Sequence, residues 1–224
     1  MESHIKHCII NAYTNTGWYK RGSDRLRNSL IHHGYTGDLL FTEGFANDNY
    51  DKFCGYNVKA AALEEAIKKG YTHIFWGDCS IWAIKNPAPI FDVVNQDGYY
   101  FWKSGYNCAQ TCTDKQLAYF GVDRNDAEKM GDCSTSQFGL NLNNPLAREF
   151  AERFIQACKD GIAGSTRFHD NQSQDSRFLF GRNEQSIASL LIGLMGLKMY
   201  DPAIFSIYYQ PVMPESVIFP MQGL

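Results

Sequence analysis

The chain has 224 residues, a net charge of −3 and 44% hydrophobic residues, enough to bury a full core in one large domain without disulfides or metals. The slightly acidic balance argues against a protein that binds nucleic acid by neutralising phosphates, which needs a basic excess. No stretch approaches the roughly 18 apolar residues of a membrane span, and the seven cysteines form no CxxC pair, so structural zinc is not expected and free thiols in a reducing cytoplasm are.

In chain order, KHCIINAYT reads as a short strand leaving into a polar loop. Ser23 to His33 is expected to be helical, with Leu26, Leu30 and His33 on one face. GDLLFTEG gives a second strand. Asn57 stands where a helix cap is expected, ahead of Val58, Ala61, Ala62, Leu63, Ala66 and Ile67 at helical spacing, and Gly70 ends that helix. THIFW follows as a third strand and runs into Asp78, Cys79 and Ser80. Alternation of strand and helix predicts a parallel sheet with helices on its faces. In such sheets ligands bind at the carboxyl ends of the strands, where Asp78 falls. An aspartate after a strand also serves as a turn or cap residue, and the segment alone leaves both readings open.

The second half changes character. YYFW at 99–102 and QFGLNL at 137–142 read as strands, with short helical pieces around Asp114 to Phe120 and Arg124 to Met130 between them. Asn144 and Pro145 form a helix start before Leu146, Phe150, Phe154 and Cys158, and Gly161 closes it. Ala163 to Arg182 is polar and of the length at which a loop is usually functional or disordered. A last helix carries Ile187, Leu190, Leu191 and Leu194. The expected organisation is one domain over residues 1–210 and an extended tail over 211–224, a strap or a loose end, with Pro211, Pro214 and Pro220.

Four segments taken together, YNVKAAALEEAIKKGY, HIFWGDCSIWAIKNPAPIF, QFGLNLNNPLAREF and RNEQSIASLL, resemble the GT-A glycosyltransferases, especially a group of small bacterial and viral ones. Those relatives have a Lys-bearing helix before a strand that ends in an Asp-centred motif followed by Trp. A His-Asp-Gln-Ser element opens a late helix. The resemblance runs over residues 5–205. It implies an α/β, Rossmann-like GT-A fold: a mainly parallel central sheet flanked by helices, with a small mixed second part. It also implies an enzyme that moves a sugar from a UDP- or GDP-sugar to a hydroxyl acceptor such as a glycan.

By the same resemblance, Asn11, Ala12 and Tyr13 would contact the donor base, with Tyr13 stacking on it. Arg25 and Lys59 would stand near the diphosphate. Asp78 matches the first carboxylate of the Asp-x-Asp motif, and with Ser80 it would ligate Mn²⁺ or Mg²⁺ acting on the leaving group. Ser80 replaces the second carboxylate, which weakens that metal site or removes it. Trp82 would close the sugar site. Glu184 and Gln185 occupy the Asp-Gln positions of the late element, Glu184 as the catalytic carboxylate, while Asn183 stands in place of His. The plain alternative there is a helix cap by Asn183 with Glu184 favoured by the helix dipole. Asp132, Ser134, Thr135 and Ser136 correspond to a segment that lines the acceptor or sugar pocket, and His169 and Asp170 match a late metal ligand found in some relatives.

Two rival classes remain on the sequence alone. A nucleotidyltransferase would place a Gly-rich basic phosphate loop after the first strand, and NAYTNTGWYKRG matches that poorly. A catalytically inactive relative, kept as a nucleotide- or glycan-binding or structural module, is the stronger rival, because the second aspartate and the histidine are both replaced.

Overall fold

The computed structural model describes residues 7–50, 52, 54–164, 173–202 and 204–222. The first strand, β1 (His7–Tyr13), is buried on both faces from Cys8 to Ala12. That pattern belongs to the middle of a parallel sheet, where helices cover both sides. Its neighbours are β2 (Asp38–Glu43) and β3 (His73–Gly77), both parallel to it, with Ile9 opposite Leu39 on one side and Phe75 on the other. Then β5 (Gly131–Asn141) runs antiparallel to β3, with Trp76 opposite Phe138, and β4 (Tyr99–Asn107) runs antiparallel to β5. The order is β2-β1-β3-β5-β4. Four of the five strands therefore point the same way, and the sheet is mainly parallel with a mixed edge, as the sequence implies.

Helices fill both faces. On one side lie α2 (Val58–Lys68), α7 (Pro145–Lys159) and α8 (Glu184–Leu194), packed around Phe138, Phe150 and Phe154. Ala60, Ala61, Ala62 and Ala66 of α2 are fully buried, so small side chains let this helix lie close on β1. On the other side, α1 (Tyr19–His32) and α3 (Ala88–Asp97) contribute Leu26, Leu30 and Ile90 to a second core. Three short helices, α4 (Cys108–Thr111), α5 (Asp114–Phe120) and α6 (Arg124–Glu128), close the β4–β5 connection. Asn107, Thr113 and Asp123 cap them, the first two in reciprocal capping boxes with Gln110 and Gln116.

Several boundaries differ from the sequence reading. Helix α1 begins at Tyr19, ahead of Ser23. Asn57 ends a 3-10 turn, Gly55–Asn57, in helical conformation and makes no side-chain cap bond, since capping requires an extended backbone at that position. Asn144 does cap α7, accepting from the backbone N–H groups of Leu146 and Ala147. The tail is a strap rather than a loose end. Its β7 (Phe219–Met221) pairs in parallel with β6 (Ser206–Tyr208), Ile218, Phe219 and Met221 are buried in the second core, and Val217 is buried beside them in sequence. Each such side chain contributes about 1.5–3 kcal/mol. His169 and Asp170 lie outside the described residues. Among the described residues, no helix is long and apolar enough to cross a membrane.

This topology builds one functional edge. Because β5 is antiparallel to β3, its first half passes the carboxyl end of β3, and the Asp78 N–H donates to the Ser136 carbonyl at 2.8 Å. Residues 134–136 are thereby delivered beside Asp78.

Candidate active site

Three charged side chains from three elements meet at that edge. Lys59 sits in the first turn of α2, Asp78 follows β3, and Glu184 opens α8, where the positive end of the helix dipole favours a carboxylate. The Lys59 Nζ lies 2.8 Å from Glu184 Oε1 and 3.3 Å from Asp78 Oδ1. It also donates to the carbonyl and the hydroxyl of Thr135, at 3.0 and 3.1 Å. The Thr135 hydroxyl passes a hydrogen bond to Glu184 Oε1 at 3.0 Å, and the Trp76 indole N–H donates to Asp78 Oδ1 at 2.8 Å.

Burial makes these contacts strong. Lys59 and Glu184 are 5% and 2% exposed, whereas the Asp78 side chain retains 28%. Burial by itself lowers the Lys59 pKa, but the Asp78 and Glu184 carboxylates outweigh it and hold the ammonium's pKa above its usual value. For Asp78 burial wins, raising its pKa against the pull of Lys59. One cation thus serves two carboxyl groups. Glu184 Oε2 is buried and has no hydrogen-bond partner, a costly state unless a ligand group completes it.

Behind the trio, Asp132 is fully buried among neutral donors. It accepts from Ser189 at 2.8 Å, Gln185 Nε2 at 2.9 Å and Thr111 at 3.1 Å, and from the Ser104 hydroxyl in a short bond. Burial raises its pKa, and these bonds oppose the rise. Gln185 is held from the other side by the Thr135 N–H at 3.4 Å. Asn183, just before Glu184, has φ 50° and ψ −123° and is the single non-glycine residue at positive φ among the described residues. It makes no cap bond; its side-chain amide donates to the Ala163 carbonyl at 2.9 Å. Such strain costs on the order of 1–3 kcal/mol and persists where the surroundings over-determine it.

Lys59, Asp78, Glu184 and Gln185 all line one cavity of about 410 Å³, with Ser134 and Ser136 on its floor. The other residues singled out in the sequence are placed elsewhere. Asn11 is fully buried, donates to the Gly77 carbonyl at 2.7 Å and accepts from the Ser23 hydroxyl at 2.7 Å, so it ties β1, β3 and α1 together. Ala12 is buried and Tyr13 half-buried at the end of β1, and neither lines this cavity. Arg25 is committed to the carbonyls of Ser80, at 3.0 Å, and Gln222, at 2.9 Å, and stacks on Trp82 at 4.2 Å. Arg25, Ser80 and Trp82 therefore form a clasp between the Asp78 loop and the strap rather than a phosphate or sugar contact in this cavity. Tyr56, Phe180, Arg182, Tyr208 and Met221 also line it. Sequence reading missed them, and the one local signal was the aromatic Tyr56 just ahead of the Lys59 helix.

For a divalent ion, the cavity offers the Asp78 carboxylate and the Ser134 and Ser136 hydroxyls, while Ser80 is not brought to it. Among the described residues no group of three or more His, Cys, Asp or Glu side chains is placed to hold a metal. One partly exposed carboxylate with neutral oxygens suits an ion held largely by substrate phosphates, the usual manner of Mg²⁺.

No protein-family model and no curated protein matches the chain. Solved structures do match by fold. One is a glycosyltransferase involved in the glycosylation of the major capsid of PBCV-1, at TM-score 0.58 and 9% identity, covering 96% of this chain and 92% of that one. Another is the WbbM bifunctional glycosyltransferase, at TM-score 0.56 and 9% identity; it covers 93% of this chain, which spans 40% of that longer protein. A third is the galactosyltransferase LgtC in complex with donor and acceptor sugar analogues, at TM-score 0.50 and 9% identity, covering 96% and 86% of the two chains. The fold is that of the GT-A glycosyltransferases.

Proposed function

We propose that this protein is a glycosyltransferase that moves a sugar from a nucleotide-sugar donor, a UDP- or GDP-sugar, to a hydroxyl group of a glycan or similar acceptor. The observation that supports this most is the Lys59–Asp78–Glu184 trio in a cavity at the carboxyl ends of the strands, with a buried, unpartnered Glu184 oxygen. A binding module has no need of a carboxylate oxygen kept buried and without a protein partner. Such an arrangement is costly, and it is repaid when a substrate hydroxyl donates to it.

In the transfer, an acceptor oxygen bonds to the anomeric carbon as the bond from that carbon to the diphosphate breaks. Lys59 holds Glu184 and Asp78 at fixed separation and balances part of their charge. Glu184 Oε2 takes the proton of the attacking hydroxyl if the anomeric configuration inverts; if it is retained, Oε2 accepts a hydrogen bond from a donor-sugar hydroxyl and the acceptor proton leaves on the departing diphosphate oxygen. Asp78, the most accessible of the three, faces the donor. A divalent ion, Mn²⁺ or Mg²⁺, held by Asp78 and the donor phosphates, would supply Lewis-acid stabilisation of the leaving group. Thr135 and Gln185 keep α8 in register with β5, so the Glu184 carboxylate meets its partner without reorganising.

Calorimetry against UDP, GDP, CDP, dTDP and their sugars, with Mn²⁺, Mg²⁺ or chelator, tests the reading. One nucleotide family is expected to bind, and Asp78→Ala to weaken it about tenfold or more, a difference of about 1.4 kcal/mol. Glu184→Gln, which keeps shape and removes charge, is expected to retain donor binding and lose transfer by about 100-fold or more. Absence of binding by every nucleotide would overturn the assignment.

A further inference from the structure

The cavity has a second cation, and its setting differs from that of Lys59. Arg182 is half-buried in the wall, two residues before Glu184. Its guanidinium lies over the ring of Phe180 at 4.9 Å and over that of Tyr106 at 5.3 Å. The two rings themselves meet edge to face, with centroids 5.2 Å apart. Among the described residues no carboxylate forms an ion pair with it. The acidic group that feels its charge is Asp132, which is fully buried and held by Ser104, Thr111, Gln185 and Ser189. Lys59 is satisfied by two carboxylates, so Arg182 is the cation of the cavity whose hydrogen-bonding edge is left for a ligand. A guanidinium resting against aromatic rings is held by contacts that use none of its N–H groups, which stay available for bidentate recognition of a carboxylate or phosphate.

Its position along the sheet says which substrate it meets. The order β2-β1-β3-β5-β4 puts β1, whose end is where the fold would receive the nucleotide, on one side of Asp78. Tyr106 is near the carboxyl end of β4, at the opposite edge of the sheet, beyond β5 and its Ser134 and Ser136. Arg182 packs on Tyr106 and therefore faces the side of the cavity away from the nucleotide. We infer that Arg182, resting against Phe180 and Tyr106, binds an acidic group on the acceptor, so that the acceptor is an anionic sugar bearing a carboxylate or phosphate rather than a neutral one. This rests on the glycosyl-transfer reading above and narrows it.

The test uses the full chain and three acceptor probes of one configuration: a neutral hexose glycoside, the matching hexuronate and the matching hexose 6-phosphate. Nucleotide release and transfer are followed with the donor that calorimetry selects. The wild-type protein is expected to favour at least one acidic probe over the neutral one by about tenfold or more in kcat/KM, the discrimination of one charge-assisted pair. In Arg182→Gln that ratio is expected to fall to about one, and Arg182→Lys to restore part of it. A ratio taken within each protein is insensitive to partial loss of folded enzyme. Which acidic probe responds separates carboxylate from phosphate. Transfer with no acidic preference, or a preference that survives in Arg182→Gln, overturns the inference and leaves the transfer reading standing. Loss of nucleoside diphosphate affinity in Arg182→Gln, with acceptor preference unchanged, would assign Arg182 to the donor instead and overturn it equally. Calorimetric binding of the acidic probes to both proteins gives the same comparison without turnover, and equal affinities for acidic and neutral probes count against it. Failure of every nucleotide to bind removes the transfer reading itself, and this inference with it.

Discussion

Lys59 decides whether two buried carboxylates are tolerable. Removing its charge with Lys59→Met leaves Asp78 and Glu184 facing each other without a cation, a loss of about 3–5 kcal/mol for a buried pair broken on one side. The pH dependence follows from the same contact. The folded-state pKa of Lys59 lies above its unfolded value, so its stabilisation is whole below the ordinary lysine pKa of about 10.4 and is lost as pH climbs through the folded value. Urea midpoints should therefore show a wide gap between wild type and Lys59→Met at pH 8 and a narrower one at pH 11. A gap of constant width would mean that Lys59 acts through packing alone. Lys59, Asp78 and Glu184 stood out in the sequence because each is at an element end where chemistry favours it, and the fold brings the three together. The placing of Arg25 outside this cavity was not readable for a physical reason: one of its partners is the carbonyl of Gln222, 197 residues away, and nothing local shows that contact.

Among the elements, α1 and β5 carry the site more directly than their sequences suggest. A Cβ added at Gly22 of α1 would lie 2.2 Å from the Cys79 carbonyl oxygen. The helix thus rests against the backbone of the Asp78 loop, and only glycine permits that approach. Gly22→Ala is expected to cost about 1–3 kcal/mol by overpacking and to weaken donor binding, since the displaced atom belongs to the loop that presents Asp78. Thermal unfolding and calorimetry on the one variant check both, and an unchanged melting temperature would show that the loop yields without cost. Strand β5 starts at Gly131 rather than Gln137, and the missing half was illegible because its Ser-Thr-Ser run lacks the apolar alternation of a strand. Those polar side chains face the cavity and the trio instead of a core. The order of β1, α1, β2, α2 and β3 was readable, because each of those elements has a core to fill and a periodicity that shows it.

At the scale of the molecule, the second core is completed from far along the chain. Phe219 is fully buried and stacks on Phe75 of β3 with ring centroids 5.3 Å apart, and Met221 both joins that core and lines the cavity. Phe219→Ala is expected to lower stability by about 3–5 kcal/mol in urea denaturation. A loss below about 1 kcal/mol would mean that the strap rests on the surface rather than in the core. Prolines suggested an extended tail, and of it Phe219–Met221 form a strand; the burial of that strand was not legible, since three-residue strands carry no period to read.

The strap also sets an order of events during synthesis. Strands β1 and β3 and helices α1 and α3 leave the ribosome long before residues 217–222, and until then Phe75, Ile81 and Leu26 have no cover on the side that Phe219 and Ile218 later fill. A nascent chain that already possesses Lys59, Asp78 and Glu184 still exposes an apolar face and an unfinished cavity wall. Chains in that condition are the ones that chaperones hold and that aggregate when crowded. Site assembly in this protein therefore waits for residues 217–222, although the charged residues of the site are complete once position 184 has been made.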